Sequence, residues 1–193
     1  MLDRLACAAF LVLVLAPSLT AQEESRSDEI KAAVLSAPES MRAGATVLGH
    51  GGEPRPGDTL ALLRSGVNDL ICLADDPEAE GFHTACYHRS LADFMALGRR
   101  LRAEGKDRAE IMDARYAALQ SGELAMPSRA SLFSVSADAA PGSDGRLEGE
   151  RRLTVVYVPG ATGEELGLPT RPDGDSPWLM LPGTPWAHIM ISR

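Results

Sequence analysis

The chain is short of cysteine, of histidine and of clustered positive charge: 3 cysteines and 4 histidines occur in 193 residues, and the net charge is -8. An acidic balance without a basic stripe argues against nucleic acid and anionic membrane surfaces as partners, because both draw clustered Lys and Arg. The densest basic run, "RRLRAEGKDR" at 99–108, is broken by Glu104 and Asp107 and reads as the solvated side of helices. Beyond the N-terminus no apolar run approaches the roughly 20 residues that a membrane helix needs. The G-x-S-x-G elbow, the P-loop, H-E-x-x-H and C-x-x-C are all missing, so the common signatures of hydrolase, nucleotide, zinc-protease and redox chemistry are missing with them. There are no internal repeats, and no cofactor is expected.

What is present begins with "MLDRLACAAFLVLVLAPSLTAQ". Arg4 precedes an apolar run over 5–16, and small residues follow. This is the layout of a secretory signal, with cleavage expected after Ala21. Cys7 precedes the apolar centre, where a lipid-attachment cysteine would follow it. Removal of residues 1–21 leaves 172 residues, enough for one domain with a real core. The expected location is periplasmic or secreted, with no membrane span after cleavage; the competing reading keeps the apolar run as an anchor.

Two cysteines then remain, Cys72 and Cys86. In an exported chain such a pair is expected to form a disulfide, closing a loop of about 15 residues and adding roughly 3 kcal/mol. The competing chemistry lies in "GFHTACYHRS" at 81–90, where His83, Cys86 and His88 carry zinc-ligand types. A strand would put Cys86 and His88 on one face and His83 on the other. A helix would pair His83 with Cys86 and leave His88 aside. Only an irregular loop would converge all three, so no metal is expected. A cysteine–histidine nucleophile needs a thiolate, which a disulfide removes.

Residues 22–40 read as an arm or short helix, and 41–193 as a single α+β domain. "ATVL", "TLALLR" and "NDLICLA" are short apolar runs separated by Gly, Pro and Asp, as strands joined by turns are. "ADDPEAEGFHT" reads as a polar loop between the cysteines. Helices are expected over 90–105 and 107–121. Ser90 with Asp93, and Asp107 with Glu110, are capping-box pairs, and Gly105 and Gly122 are stops. "SLFSVSA", "LTVVYVPG", "PWLML" and "WAHIMIS" return to strands. Thr162 and Glu165 cap a helical turn. The expected fold is a mostly antiparallel sheet with the two adjacent helices packed on one face.

"SGVNDLICLADDP", "YHRSLADFMALGRRLRAEGK", "VVYVPGATGEELGLP" and "GTPWAHIMI", in this order, resemble a family of secreted bacterial proteins of unknown function, over roughly residues 30–192. The resemblance implies an exported domain with two loop cysteines at Cys72 and Cys86 and a closing-strand histidine at His188. The turn "SGVNDLIC" departs from the family's Thr-Asn-Gly-aromatic form. The resemblance carries no activity.

"GHGG" at 49–52 is read as a flexible turn, since an oxyanion loop would need a serine elbow. "DDPEAE" and "DGDS" are read as solvated acidic loops because neither has EF-hand spacing. His188 faces either solvent or the core, depending on the phase of its strand. Inside, it would hydrogen-bond backbone or line a ligand pocket with Trp178 and Trp186. The expected function is therefore a non-catalytic exported domain whose partner is a small molecule or an envelope protein. The rivals are a hydrolase or metal-dependent enzyme using His83, His88 and His188, and a structural envelope protein.

Overall fold

The computed structural model describes residues 19–142 and 144–192. Most of the expected signal segment, residues 1–18, lies outside them. Among the described residues no helix is long and apolar enough to cross a membrane.

The fold is α+β, built on one eight-stranded mixed sheet. The chain opens with helix α1 (Leu19–Ala33), a 3-10 turn at Val34–Ser36 and the single turn α2 (Glu39–Arg42). Strands β1 (Thr46–Pro54), β2 (Ala61–Arg64), β3 (Leu70–Leu73) and β4 (Phe82–His88) follow. Then come α3 (Ala92–Ala103), α4 (Arg108–Ser121), β5 (Ala130–Ala137), β6 (Arg151–Tyr157), α5 (Gly163–Leu166), β7 (Trp178–Met180) and β8 (His188–Ser192). The spatial order is β2-β1-β3-β4-β5-β6-β8-β7, and every pairing is antiparallel except β1 with β3.

Strand alternation divides the core in two. Val47, Leu63, Cys72 and Cys86 pack with Ala33, Val34 and Ala37 of the N-terminal segment. Leu48, Ile71, Tyr87, Val155 and Tyr157 pack with Leu91, and Ala92 and Met95 of α3 lie against them. Both faces of the central strands are thus dry, which explains why "LICL" and "TACY" read as unbroken apolar runs rather than as alternation.

The cysteines are directly opposed on β3 and β4 and form a disulfide, with Cα atoms 4.0 Å apart and no exposed surface. The Ser36 hydroxyl donates to Cys86 Sγ at 3.1 Å. The loop between them is shorter than its sequence suggests. "FHT" already belongs to β4, because pairing with Val135, Ser136 and Ala137 of β5 supplies the backbone partners that polarity alone would give to water.

Start signals are realised at two of three places. Asp107 and Glu110 exchange both bonds of a capping box at α4, as Thr162 and Glu165 do at α5. At α3 the Ser90–Asp93 box does not form. The His88 ring accepts from Ser90 N instead, and a 3-10 turn at Arg89–Leu91 leads into the helix. The helix α4 stops at Gly122, whose φ of 78° suits glycine.

Candidate functional site

Cross-strand registry assembles two rows of side chains on one face of the far half of the sheet. One row is Leu132, Val155, Met190 and Trp178; the next is Ala130, Tyr157, His188 and Met180. Residues directly opposite in a ladder share a face, so four strands contribute to one floor. The phase of β8 that turns His188 and Met190 toward this floor sends Ile189 and Ile191 to the other face.

On α3, Phe94 and Arg102 stand eight residues apart, with Gly98 midway. Arg108, Ile111, Met112 and Arg115 of α4 recur at i, i+3, i+4 and i+7, one helical stripe. These side chains and, from the floor, Leu132, Val155, Met190, Tyr157, His188 and Met180 line a cleft of about 550 Å³ that also takes in Trp186 and Leu181. That volume lies in the usual range for small-molecule sites, roughly 300–1,000 Å³. Leu181 is the only non-glycine among the described residues with positive φ, 54°. Its carbonyl accepts the Thr184 hydroxyl at 2.8 Å, which holds the turn.

The aromatic rings interlock. Phe94 meets Trp186 edge-on at 5.1 Å and Tyr157 at 6.2 Å, and Tyr157 lies 5.2 Å from the His188 ring. His188 Nδ1 donates to the Trp186 carbonyl at 2.7 Å, which leaves Nε2 as the acceptor. Burial lowers the His188 pKa and outweighs the opposing effect of that bond, so the ring is neutral at pH 7. Burial pushes the Tyr157 phenol up to about 12, although Arg115 pulls the other way. Arg115 has its guanidinium over the Phe94 ring, 4.3 Å from the centroid, and its Nε donates to the Phe94 carbonyl at 3.1 Å.

His188 and Trp186 therefore meet in this cleft, while Trp178 pairs with Met190 on β7 but lies outside the lining. The other candidates are elsewhere. His83 and His88 are on β4, separated from β8 by β5 and β6. The His83 amide donates to Asp75 Oδ1 at 2.8 Å and the residue is exposed. His88 sits among serine and aspartate: Nδ1 is 2.7 Å from Ser90 Oγ, and Nε2 is 3.9 Å from Asp69 Oδ2. Among the described residues no group of three or more His, Cys, Asp or Glu side chains is placed to hold a metal ion.

A second cleft, of about 340 Å³, contains the most buried ion pair among the described residues. Arg99 donates to both Asp58 oxygens, at 2.9 and 2.6 Å, and to the Tyr87 hydroxyl at 3.2 Å. Burial alone would raise the Asp58 pKa, but the Arg99 bond and charge and the Thr59 and Leu60 amides bring it below its usual value.

Sequence reasoning missed the arginines. Arg102 and Arg108 lie in the run read as solvated, and Arg115 drew no notice. The signal was there in the spacing of Arg108 and Arg115 around Ile111 and Met112, and in a glycine at the centre of a helix. No protein-family model, no curated protein and no solved structure matches the chain.

Proposed function

We propose that this is a non-catalytic, exported bacterial domain that binds a small apolar molecule in the cleft around Trp186 and His188. The reading takes residues 1–21 as a cleaved signal, α3 and α4 as packed together on one sheet face, and the periplasm or the extracellular space as the location. It keeps the kinship with secreted bacterial proteins that the motifs suggest. The observation that carries it is the cleft itself: an apolar floor drawn from four strands, aromatic walls, and a single neutral histidine with no serine, cysteine or carboxylate beside it. The buried Cys72–Cys86 disulfide suits an oxidising compartment.

The test uses N-phenyl-1-naphthylamine, a neutral fluorophore that brightens on leaving water. It is expected to bind saturably, one per chain, and Met112→Trp, which fills the cleft from α4, is expected to abolish binding. Unsaturable binding, or full binding by M112W, would remove the cleft from consideration.

A second reading, hydrolysis, has one observation in its favour: Ser90, His88 and Asp69 bring nucleophile, base and carboxylate types together. Against it, the three line neither of the two clefts described above, and Arg89 holds Asp69 at 3.0 Å. A fluorophosphonate probe that labels Ser90, with labelling lost in Ser90→Ala, would favour this reading over the first.

A further inference from the structure

Arg115 is the one part of the cleft that packing does not account for. Its guanidinium is half-buried on an aromatic ring, and its single hydrogen bond among the described residues goes to a backbone carbonyl. No ion pair among the described residues includes it. Desolvating a cation without a carboxylate partner is costly, and such a group is ordinarily paired. Burial is the largest effect against its charge; Tyr157 opposes that, while Arg102 and Arg99 repel it.

The cleft as a whole repeats the imbalance. Arg102, Lys106, Arg108 and Arg115 line it, and no aspartate or glutamate does. Of these four, only Lys106 has an acidic partner among the described residues, Glu110 at 2.9 Å. This occurs in a chain whose net charge is -8. Apolar walls focus the field of such a cluster instead of screening it. A wholly neutral ligand would fill the floor but would strip more water from Arg115 without replacing it. A ligand with an apolar body and an oxyanion satisfies both parts, and the planar fork of a guanidinium matches a carboxylate well.

We propose that the cleft takes a small amphiphilic carboxylate. Its apolar body lies on Leu132, Val155 and Met190, and its carboxylate is held by Arg115, with Arg102 and Arg108 at the mouth. The proposal rests on the binding reading above and adds the charge of the ligand.

The test is calorimetric titration of the oxidised mature protein with decanoate, 1-decanol and decylammonium, each below its aggregation concentration. Decanoate is expected to bind one per chain and roughly tenfold or more tighter than decanol, as a charge-assisted bond gained in a cleft would give. Decylammonium is expected to bind weakest. In Arg115→Met the decanoate-to-decanol ratio is expected to fall to about one, with Arg115→Lys between. Equal affinity for decanoate and decanol in the unaltered protein, or tightest binding of the ammonium, overturns the carboxylate and leaves the apolar cleft standing. Binding of none of the three overturns both. The comparison of ligands on the unaltered protein does not depend on how well the variants fold. For those, a melting curve with the disulfide intact establishes that the ratio is measured on folded protein, and an unchanged ratio in folded R115M also overturns the proposal.

Discussion

Gly98 occupies the middle of α3, where glycine costs a helix roughly 0.5–1 kcal/mol relative to alanine. A Cβ there would collide with the Arg115 guanidinium, at the flexible end of a long side chain. Gly98→Ala is therefore expected to raise stability slightly, by up to about 1 kcal/mol, and to displace Arg115. Melting temperature and decanoate affinity should move in opposite directions; affinity that stays put would show that Arg115 is not held by this approach. His188 carries a second prediction at this scale. Its folded pKa lies below the ordinary 6.5, so the unfolded chain binds the proton more readily than the folded one. Its contribution to stability is present above pH 6.5 and is lost as pH falls through the lowered folded value. His83, although exposed at the surface, loses enough water to be shifted the same way, so the comparison must be a difference between variants. The melting temperature of His188→Gln is expected to fall less steeply below pH 6.5 than that of the unaltered protein. Parallel curves would mean that the histidine titrates alike in both states.

Elements are tied to one another at two places where a single change should be felt. The Asp58–Arg99 pair joins the loop after β1 to α3, with side chains only 4% and 13% exposed. Removing one partner leaves the other buried without its counter-charge, so Asp58→Ala is expected to cost about 3 kcal/mol or more in urea denaturation. Asp58→Ala with Arg99→Met should recover part of that loss, because no charge is then left stranded. A cost no larger than that of an exposed pair, below about 1 kcal/mol, would mean that water reaches the site. The Cys72–Cys86 bond joins β3 to β4 inside the sheet. Native protein purified without reductant should be lighter by two hydrogens than the reduced chain. Removing the bond by Cys72→Ala with Cys86→Ala should cost about 3 kcal/mol. Two thiols that react freely in folded protein would contradict the buried pair.

On the scale of the whole molecule, two faces of one sheet are covered by different parts of the chain. Residues of α1 reach the body from Arg26 onward, whose Nη2 donates to the Leu63 carbonyl at 2.7 Å, and Glu29 accepts the His50 amide at 3.0 Å. The expected cleavage after Ala21 would therefore spare every one of these contacts. Were that cleavage to occur, the protein should begin at Gln22 by N-terminal sequencing and melt with the unprocessed chain. A first residue beyond Arg26 would remove part of the cover from that face. Acid lability belongs to the same scale: the Asp58 carboxyl, with its pKa below the usual 3.8, and His188 both favour the folded state at neutral pH and withdraw that support as pH falls.

Much of this was legible in the residues. Asp107 with Glu110 and Thr162 with Glu165 marked two helix starts, because a capping box is a bond between neighbours and needs nothing distant. Cys72 and Cys86, in a chain read as exported, implied their bond, because an oxidising compartment leaves two thiols few other fates. The run "LTVVYV" declared itself through β-branched residues and "SLFSVS" through alternation. What local pattern could not decide was anything set across the sheet. "FHT" became strand because β5 lay beside it. Ser90 lost its capping role to His88, whose ring was placed by the end of β4. The phase of His188 followed from pairing with Tyr157, and Trp178, paired with Met190, fell outside the cleft. Arg102 and Arg108 read as solvated charge, and Arg115 carried no local signal until its guanidinium was set over the Phe94 ring. Alternation and capping are short-range and can be read along the chain; a cleft is made where strands and helices distant in sequence meet, and only the folded chain brings its charges and apolar surface to one place.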